Sequence, residues 1–275
     1  MTEDAILRKL PRKHPNLVLG IGDDCAIFRP KPNEDLVFTT DLFIEHVHFR
    51  RRDPPQDVGR RALARSLSDI AAMGGASRFC LVTLALPAWT DEAWIDGFYN
   101  GLIQLADDTK TALAGGDLSH ARQLTCDVMV CGSVPRGKAL RRDGARPGDL
   151  IYVSGPLGGW RHKQNPEPRL DLAKRLRGKA TACIDISDGL ALDLHRVCLA
   201  SGVSAVIETV PLLDRATLKQ ALHDGEDYEL VYTAPPRVRV PGLPIGAIQK
   251  GAPGKLMLNG KEIFPVGYDH FRNRT

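Results

Sequence analysis

The chain has 275 residues, of which 43% are hydrophobic and 25% charged, and its net charge is +4. That length holds two ordinary domains or one large one with a sizeable core, and so mild a positive balance excludes an obvious nucleic-acid-binding surface. No apolar run is long enough to span a bilayer and the start, Met1-Thr2-Glu3-Asp4, lacks an apolar signal core, so the chain reads as soluble and cytoplasmic.

In chain order, the apolar run Leu17–Ile21 leads into Gly22-Asp23-Asp24, and Leu36–Thr40 reads as a short strand ending on Thr39-Thr40-Asp41. Asp57–Met73 reads as a helix, with Val58, Leu63, Leu67 and Ile70 on one stripe and Gly74-Gly75 as its stop. Phe79–Leu86 is a buried strand closed by Pro87. Thr90–Leu105 is a helix with Thr90 as cap and Asp91 and Glu92 in its first turn. Lys110–Leu113 is a short strand running into Gly115-Gly116-Asp117, and Thr125–Val134 is another apolar strand. Pro135–Asp149, rich in glycine, proline and arginine, marks a domain boundary and divides the chain into 1–138 and 139–275. Beyond it, Leu150–Ser154, Ala180–Ile186, Ser204–Ile207, Tyr228–Thr233, Ile245–Ile248 and Leu256–Leu258 read as strands. Leu170–Leu176 and Asp188–Ala200 read as helices, and Asn259-Gly260 is a hairpin turn. Strands mixed with helices in both halves indicate an α+β protein.

Six cysteines, none in a CxxC pair, read as reduced and structural. The sequence lacks a P-loop, a Gly-x-Gly-x-x-Gly after a strand, a protein-kinase signature, a zinc motif and a serine-hydrolase elbow. What it has instead is a series of aspartates beside glycine, serine or threonine: the three patches above, Ser66-Leu67-Ser68-Asp69, Asp185-Ile186-Ser187-Asp188-Gly189 and Gly225-Glu226-Asp227. Carboxylates brought together repel one another and resist leaving water. Magnesium, which takes hard oxygen ligands and shares them with phosphate, is the natural neutraliser. Each patch alone also suits a turn or a strand end. Asp69 is the most pointed case, because a carboxylate among Ala64, Leu67, Ile70, Ala71 and Ala72 requires a partner. Ser187 or Asp188 is either a helix N-cap or part of a phosphate cradle. His48 and Arg142 are further phosphate candidates, with packing and surface charge as their ordinary alternatives.

As a set, Gly20-Ile21-Gly22-Asp23-Asp24-Cys25-Ala26, Thr39-Thr40-Asp41, Val47-His48-Phe49, Leu67–Gly74, Gly115-Gly116-Asp117, Ile184–Leu190, Gly225–Leu230 and the closing Gly267-Tyr268-Asp269-His270-Phe271 resemble the thiamine-monophosphate kinase family, in order and over nearly the whole chain. The resemblance implies a two-domain fold like that of aminoimidazole-ribonucleotide synthetase (PurM-like). In it the N-terminal domains of two subunits share a barrel in a homodimer, and a C-terminal α/β domain packs alongside. It implies transfer of the γ-phosphoryl group of ATP to thiamine monophosphate, with several magnesium ions and no partner among nucleic acids or membranes. By similarity Asp24, Thr39, Thr40, Asp41, Asp69, Asp117, Asp185 and Asp188 match magnesium ligands. Gly116, Asp117, Arg142 and Ser187 match nucleotide contacts, and His48 and Glu226 match contacts to thiamine monophosphate. No general base is expected, since the attacking phosphate oxygen is already ionised near neutral pH.

The chain departs from the family at His46, where a small residue is usual. It also lacks a helical stretch common between Gly159 and Pro166, and Pro265-Val266 stand where an aromatic residue often lies against the thiamine ring. The alternatives are a non-catalytic thiamine-phosphate binder or another ATP-dependent synthetase of the same superfamily. The ending Asn273-Arg274-Thr275 lacks the cysteine tail of the hydrogenase-maturation relatives, and Cys25 reads as packing rather than as the nucleophile of a selenophosphate synthetase.

Overall fold

The computed structural model describes residues 6–7, 9–21, 25–159 and 165–268. The chain divides into two units, Met1–Ile70 with Ala76–Arg136, and Ala71–Gly75 with Gly137–Thr275.

The first unit has a small antiparallel pair, β1 (Leu17–Leu19) with β2 (Ile27–Phe28), and a four-stranded sheet of β3 (Glu34–Ile44), β4 (Ala76–Leu86), β5 (Ala112–His120) and β6 (Thr125–Pro135). The order is β3-β6-β4-β5, with β4 and β5 parallel and the other pairs antiparallel. Strand side chains alternate between faces, and the sequence uses this to make one face apolar. Phe43, Cys80, Val82, Leu84, Cys126, Val128 and Val130 are buried on it. Helix α1 (Pro55–Ala72) lies on that face, where Ser66 Oγ donates to the Val128 carbonyl at 2.8 Å. The opposite face exposes Phe38 (63%) and Leu42 (55%). Thr39-Thr40-Asp41 lies in the middle of the eleven-residue β3 rather than at its end, and β5 runs through Gly115-Gly116-Asp117 instead of stopping before it. Pairing with β6 and β4 along their length extends β3 past its polar Thr39-Thr40-Asp41 patch and β5 past residues of low strand propensity.

Helix α2 (Glu92–Thr109) is capped by Asp91, which accepts the Trp94 N–H at 2.8 Å, while Thr90 donates its hydroxyl to the Pro87 carbonyl. Asp91, not Thr90, is therefore the cap. The two helices touch backbone to backbone: a Cβ at Gly59 would lie 1.9 Å from the Phe98 carbonyl oxygen, and one at Gly101 would lie 1.9 Å from that of Gln56.

The second unit is a seven-stranded sheet of β7 (Leu150–Val153), β8 (Ala182–Asp185), β9 (Ser204–Ile207), β10 (Leu230–Ala234), β11 (Leu243–Gln249), β12 (Leu256–Leu258) and β13 (Lys261–Ile263). Its order is β13-β12-β9-β11-β7-β10-β8, antiparallel throughout except for β12 with β9. Helices α3 (Leu170–Leu176), α4 (Leu190–Ser201) and α5 (Leu218–His223) accompany it. Leu190, Leu194 and Val197 of α4 join Val153, Ile184, Ala205 and Val231 in its core. Asn259 and Gly260 both adopt positive φ at the β12–β13 turn, as Asn-Gly hairpins require. Helix α5 escapes the hydrophobic pattern, yet Thr217 and Gln220 form a reciprocal capping box at its start. Arg177 Nε donates to the Gly74 carbonyl at 2.6 Å, within this unit.

Five cysteines are buried and Cys25 is exposed, so Cys25 does not serve packing. Burial pushes the Cys80 and Cys198 thiols up to about 12. Among the described residues no helix is long and apolar enough to cross a membrane.

Alanine at Gly101 tests the helix contact. Helix propensity favours alanine by about 1 kcal/mol, but backbone overlap cannot be relieved by a rotamer change. The expected outcome is a net loss of about 2 kcal/mol, read as a lower urea midpoint at constant m-value.

Candidate active site

Period-two alternation sorts the polar residues of the first unit onto two faces. Thr39 and Asp41 share the helix side of β3, and Thr39 Oγ1 donates to Asp69 Oδ2 of α1. Asp69 thus has the partner that its apolar neighbours demand. Thr40 points to the open side, where its hydroxyl donates to Asp127 Oδ1 of β6. The register aligns Leu42, Asp127, Thr83 and Asp117 across all four strands. Residues aligned in this way share a face, so Asp127 and Asp117 flank Thr83. One row away, Asp41, Val128, Val82 and Gly116 are aligned. Gly116 admits no side chain, because a Cβ there would lie 1.8 Å from the Val82 carbonyl oxygen. The sequence offered no reason to single out Asp127; only its register beside Thr40 reveals it.

His48 follows β3 in a turn opened by His46, whose φ is +67°. L residues seldom adopt that conformation. The His48 ring is buried and stacked on Phe43 at 5.5 Å. Its Nδ1 accepts the Ile44 N–H at 3.0 Å, which puts the proton of the neutral ring on Nε2. Arg61 donates to the His48 carbonyl at 2.9 Å and lies over the Phe43 ring.

In the second unit, β8 ends at buried Asp185 and the chain turns through Ser187 and Asp188 into α4. Neither residue caps the helix: Gly189 holds the cap position and supplies no side-chain bond. Instead the Ser187 and Asp188 N–H groups both donate to Asp193 Oδ2, at 3.0 and 2.9 Å. Arg196 Nη1 bridges Asp188 Oδ2 and Asp193 Oδ1, each at 2.6 Å. Burial pushes the Asp193 carboxyl up to about 6 against the pull of these donors. Its only sequence signal was a carboxylate in the first turn of α4. Arg142 lies exposed in a neighbouring turn, its carbonyl accepting the Ser201 hydroxyl at 2.9 Å.

Glu226 is joined to the same turn, since its N–H donates to the Ser187 carbonyl at 2.8 Å. Glu226 (φ +55°) and Tyr228 (φ +49°) are both left-handed, at a cost of about 1–2 kcal/mol each. Between them Asp227 is fully buried, and beyond them Glu229 is fully buried and held by Arg169 and Ser154.

Asp24, with Gly22 and Asp23, lies outside the described residues, as do Asp269, His270 and Phe271. Among the described residues, no three His, Cys, Asp or Glu side chains form a group that by itself could hold a metal ion. The available donors are hydroxyl and carboxylate oxygens. They suit a hard cation that keeps water and takes phosphate oxygens, as magnesium does.

A family model described as AIR synthase related protein, N-terminal domain, matches residues 22–134. The thiamine-monophosphate kinase of Haemophilus influenzae is 34% identical to this chain, with 92% of each covered. The solved thiamine-monophosphate kinase from Stenotrophomonas maltophilia superposes with a TM-score of 0.84 at 33% identity, covering 94% of this chain and 95% of that one. AaThiL complexed with AMPPCP and TMP superposes at 0.82 with 30% identity, covering 91% and 92%.

Removing the Asp193 acceptor by Asp193→Ala leaves two half-buried N–H groups unmatched, at a cost of about 1–3 kcal/mol in denaturant unfolding. Asp193→Asn keeps an oxygen and loses less. Equal losses in both variants contradict the acceptor role.

Proposed function

Because this chain belongs to the thiamine-monophosphate kinase family, we propose that it transfers the γ-phosphoryl group of ATP to thiamine monophosphate, giving thiamine diphosphate and ADP. The observation that carries the reading is the oxygen set on the helix side of the first unit's sheet, where Thr39 and Asp41 share a face and Thr39 is bonded to Asp69, while Thr40, Asp127 and Asp117 lie on the other face. The family's solved complex with AMPPCP and TMP supports nucleotide and acceptor together.

Both reactants are polyanions, so alignment and charge neutralisation dominate the barrier. Asp24, Thr39, Thr40, Asp41, Asp69, Asp117, Asp185 and Asp188 are assigned to hold magnesium, which would supply charge neutralisation to the phosphates. Gly116 lets backbone approach the nucleotide without a side chain in the way. Arg142 offers a guanidinium to its phosphates and Ser187 its hydroxyl. His48 offers an Nε2–H donor to thiamine monophosphate, and Glu226 meets the same acceptor. No residue takes a proton, because the attacking phosphate oxygen is already ionised, and the transfer is read as direct and in line. The exposed Phe38 and Leu42 face suits a homodimer in which two such sheets close a barrel. The activity belongs in the cytoplasm, where ATP is available.

Incubating the protein with magnesium, ATP and thiamine monophosphate is expected to give thiamine diphosphate and ADP, and chelation with EDTA to stop it. Asp69→Asn and Asp117→Asn are each expected to lower kcat by about a hundredfold or more with unchanged circular dichroism. Wild-type turnover in both variants refutes the assignment. Phe38→Asp is expected to convert a dimer to a monomer in analytical ultracentrifugation; an unchanged sedimentation coefficient rejects that interface.

A further inference from the structure

The segment 225–229 carries a device that the proposed reaction does not use directly. Asp227 is fully buried, and its Oδ1 accepts two successive backbone N–H groups, from Gly158 at 2.9 Å and Gly159 at 3.0 Å. The turn it holds packs directly on the neighbouring loop. Gly159 has a φ of +72°, and a Cβ there would lie 2.7 Å from Asp224 Cβ and 3.2 Å from the Gly225 carbonyl oxygen. The residues on either side of Asp227, Glu226 and Tyr228, are in the left-handed region. Such conformations persist only where the surroundings over-determine them. Three backbone bonds contribute, Glu226 N–H to Ser187 O, Tyr228 N–H to Ile186 O and Ile186 N–H to Glu229 O. All three lie on the side of the β8–α4 turn. The Asp227 carboxylate clamps the other side.

We infer that Asp227 is a positioning residue for the acceptor substrate: by gripping the Gly158-Gly159 turn it fixes the left-handed backbone from which Glu226 reaches thiamine monophosphate. The inference rests on Glu226 meeting that substrate, as proposed above. Asp227 itself touches no reactant. Its loss releases the backbone of Glu226 and weakens acceptor binding more than nucleotide binding.

The test compares Asp227→Ala, Asp227→Asn and Glu226→Ala in the full chain, with steady-state KM for each substrate, kcat and thermal midpoint. Asp227→Ala is expected to raise KM for thiamine monophosphate about tenfold, with KM for ATP and kcat changed less than about threefold. Asp227→Asn keeps an oxygen acceptor and is expected to restore most of the affinity. If Asp227→Ala does not fold, Gly159→Ala displaces the same turn from its other side and is expected to give the same split. An unchanged KM for thiamine monophosphate in a folded Asp227→Ala or Gly159→Ala variant overturns the inference, as does a parallel rise in both KM values. Failure of the underlying reading looks different: Glu226→Ala then leaves KM for thiamine monophosphate unchanged.

Discussion

Carboxylates that must stay charged inside a fold have to be matched by donors before any ligand arrives, and this requirement shapes both units. Thr39 answers Asp69, Thr40 answers Asp127, and two backbone N–H groups answer each of Asp193 and Asp227. Cations supply further donors. Arg196 bridges Asp188 and Asp193, and Arg169 forks onto Glu229. Hydroxyl and amide donors orient an oxygen while leaving its charge largely in place, which suits groups that are to meet a divalent ion and phosphate.

The two units solve the problem by different geometry. In the first, a flat row of strand positions presents side chains at fixed spacing, and adjacent residues fall on opposite faces. Three consecutive oxygen-bearing residues, Thr39, Thr40 and Asp41, are thereby divided, with the middle one alone on the open face. In the second, irregular backbone does the work. The β8–α4 turn and the segment 225–229 are pinned to each other by main-chain bonds, and buried side chains then hold each from behind. The strain at Glu226 and Tyr228 is sustained by that double hold.

Much of this was legible in the sequence. The helix Asp57–Met73 and the strand Ser204–Ile207 follow from apolar spacing, and the Asn259-Gly260 turn follows from the one backbone conformation those residues favour. Errors came where tertiary pairing overrides local preference. Thr39-Thr40-Asp41 read as a strand end because the patch is polar, and Gly115-Gly116-Asp117 because glycine and aspartate are poor strand formers, yet both lie inside strands paired along their length. For Ser187 and Asp188 the sequence left a helix cap open beside a phosphate cradle; neither caps the helix, and the buried Asp193 takes up their N–H groups.

By itself the sequence determined the residue chemistry: which oxygens exist, where glycine allows close approach, and the ordered set of motifs that marks the family. Those properties are local, and a run of five or six residues carries each of them. Tertiary structure alone decided which carboxylates are buried, which donor each receives and which face of a strand it occupies. Asp127 and Asp193 look like ordinary surface aspartates in the sequence, and Asp227 shows there only as part of the Gly225-Glu226-Asp227 patch. Their partners at Thr40, Ser187 and Gly158 are brought to them by strand register and by chain turns that no local pattern encodes.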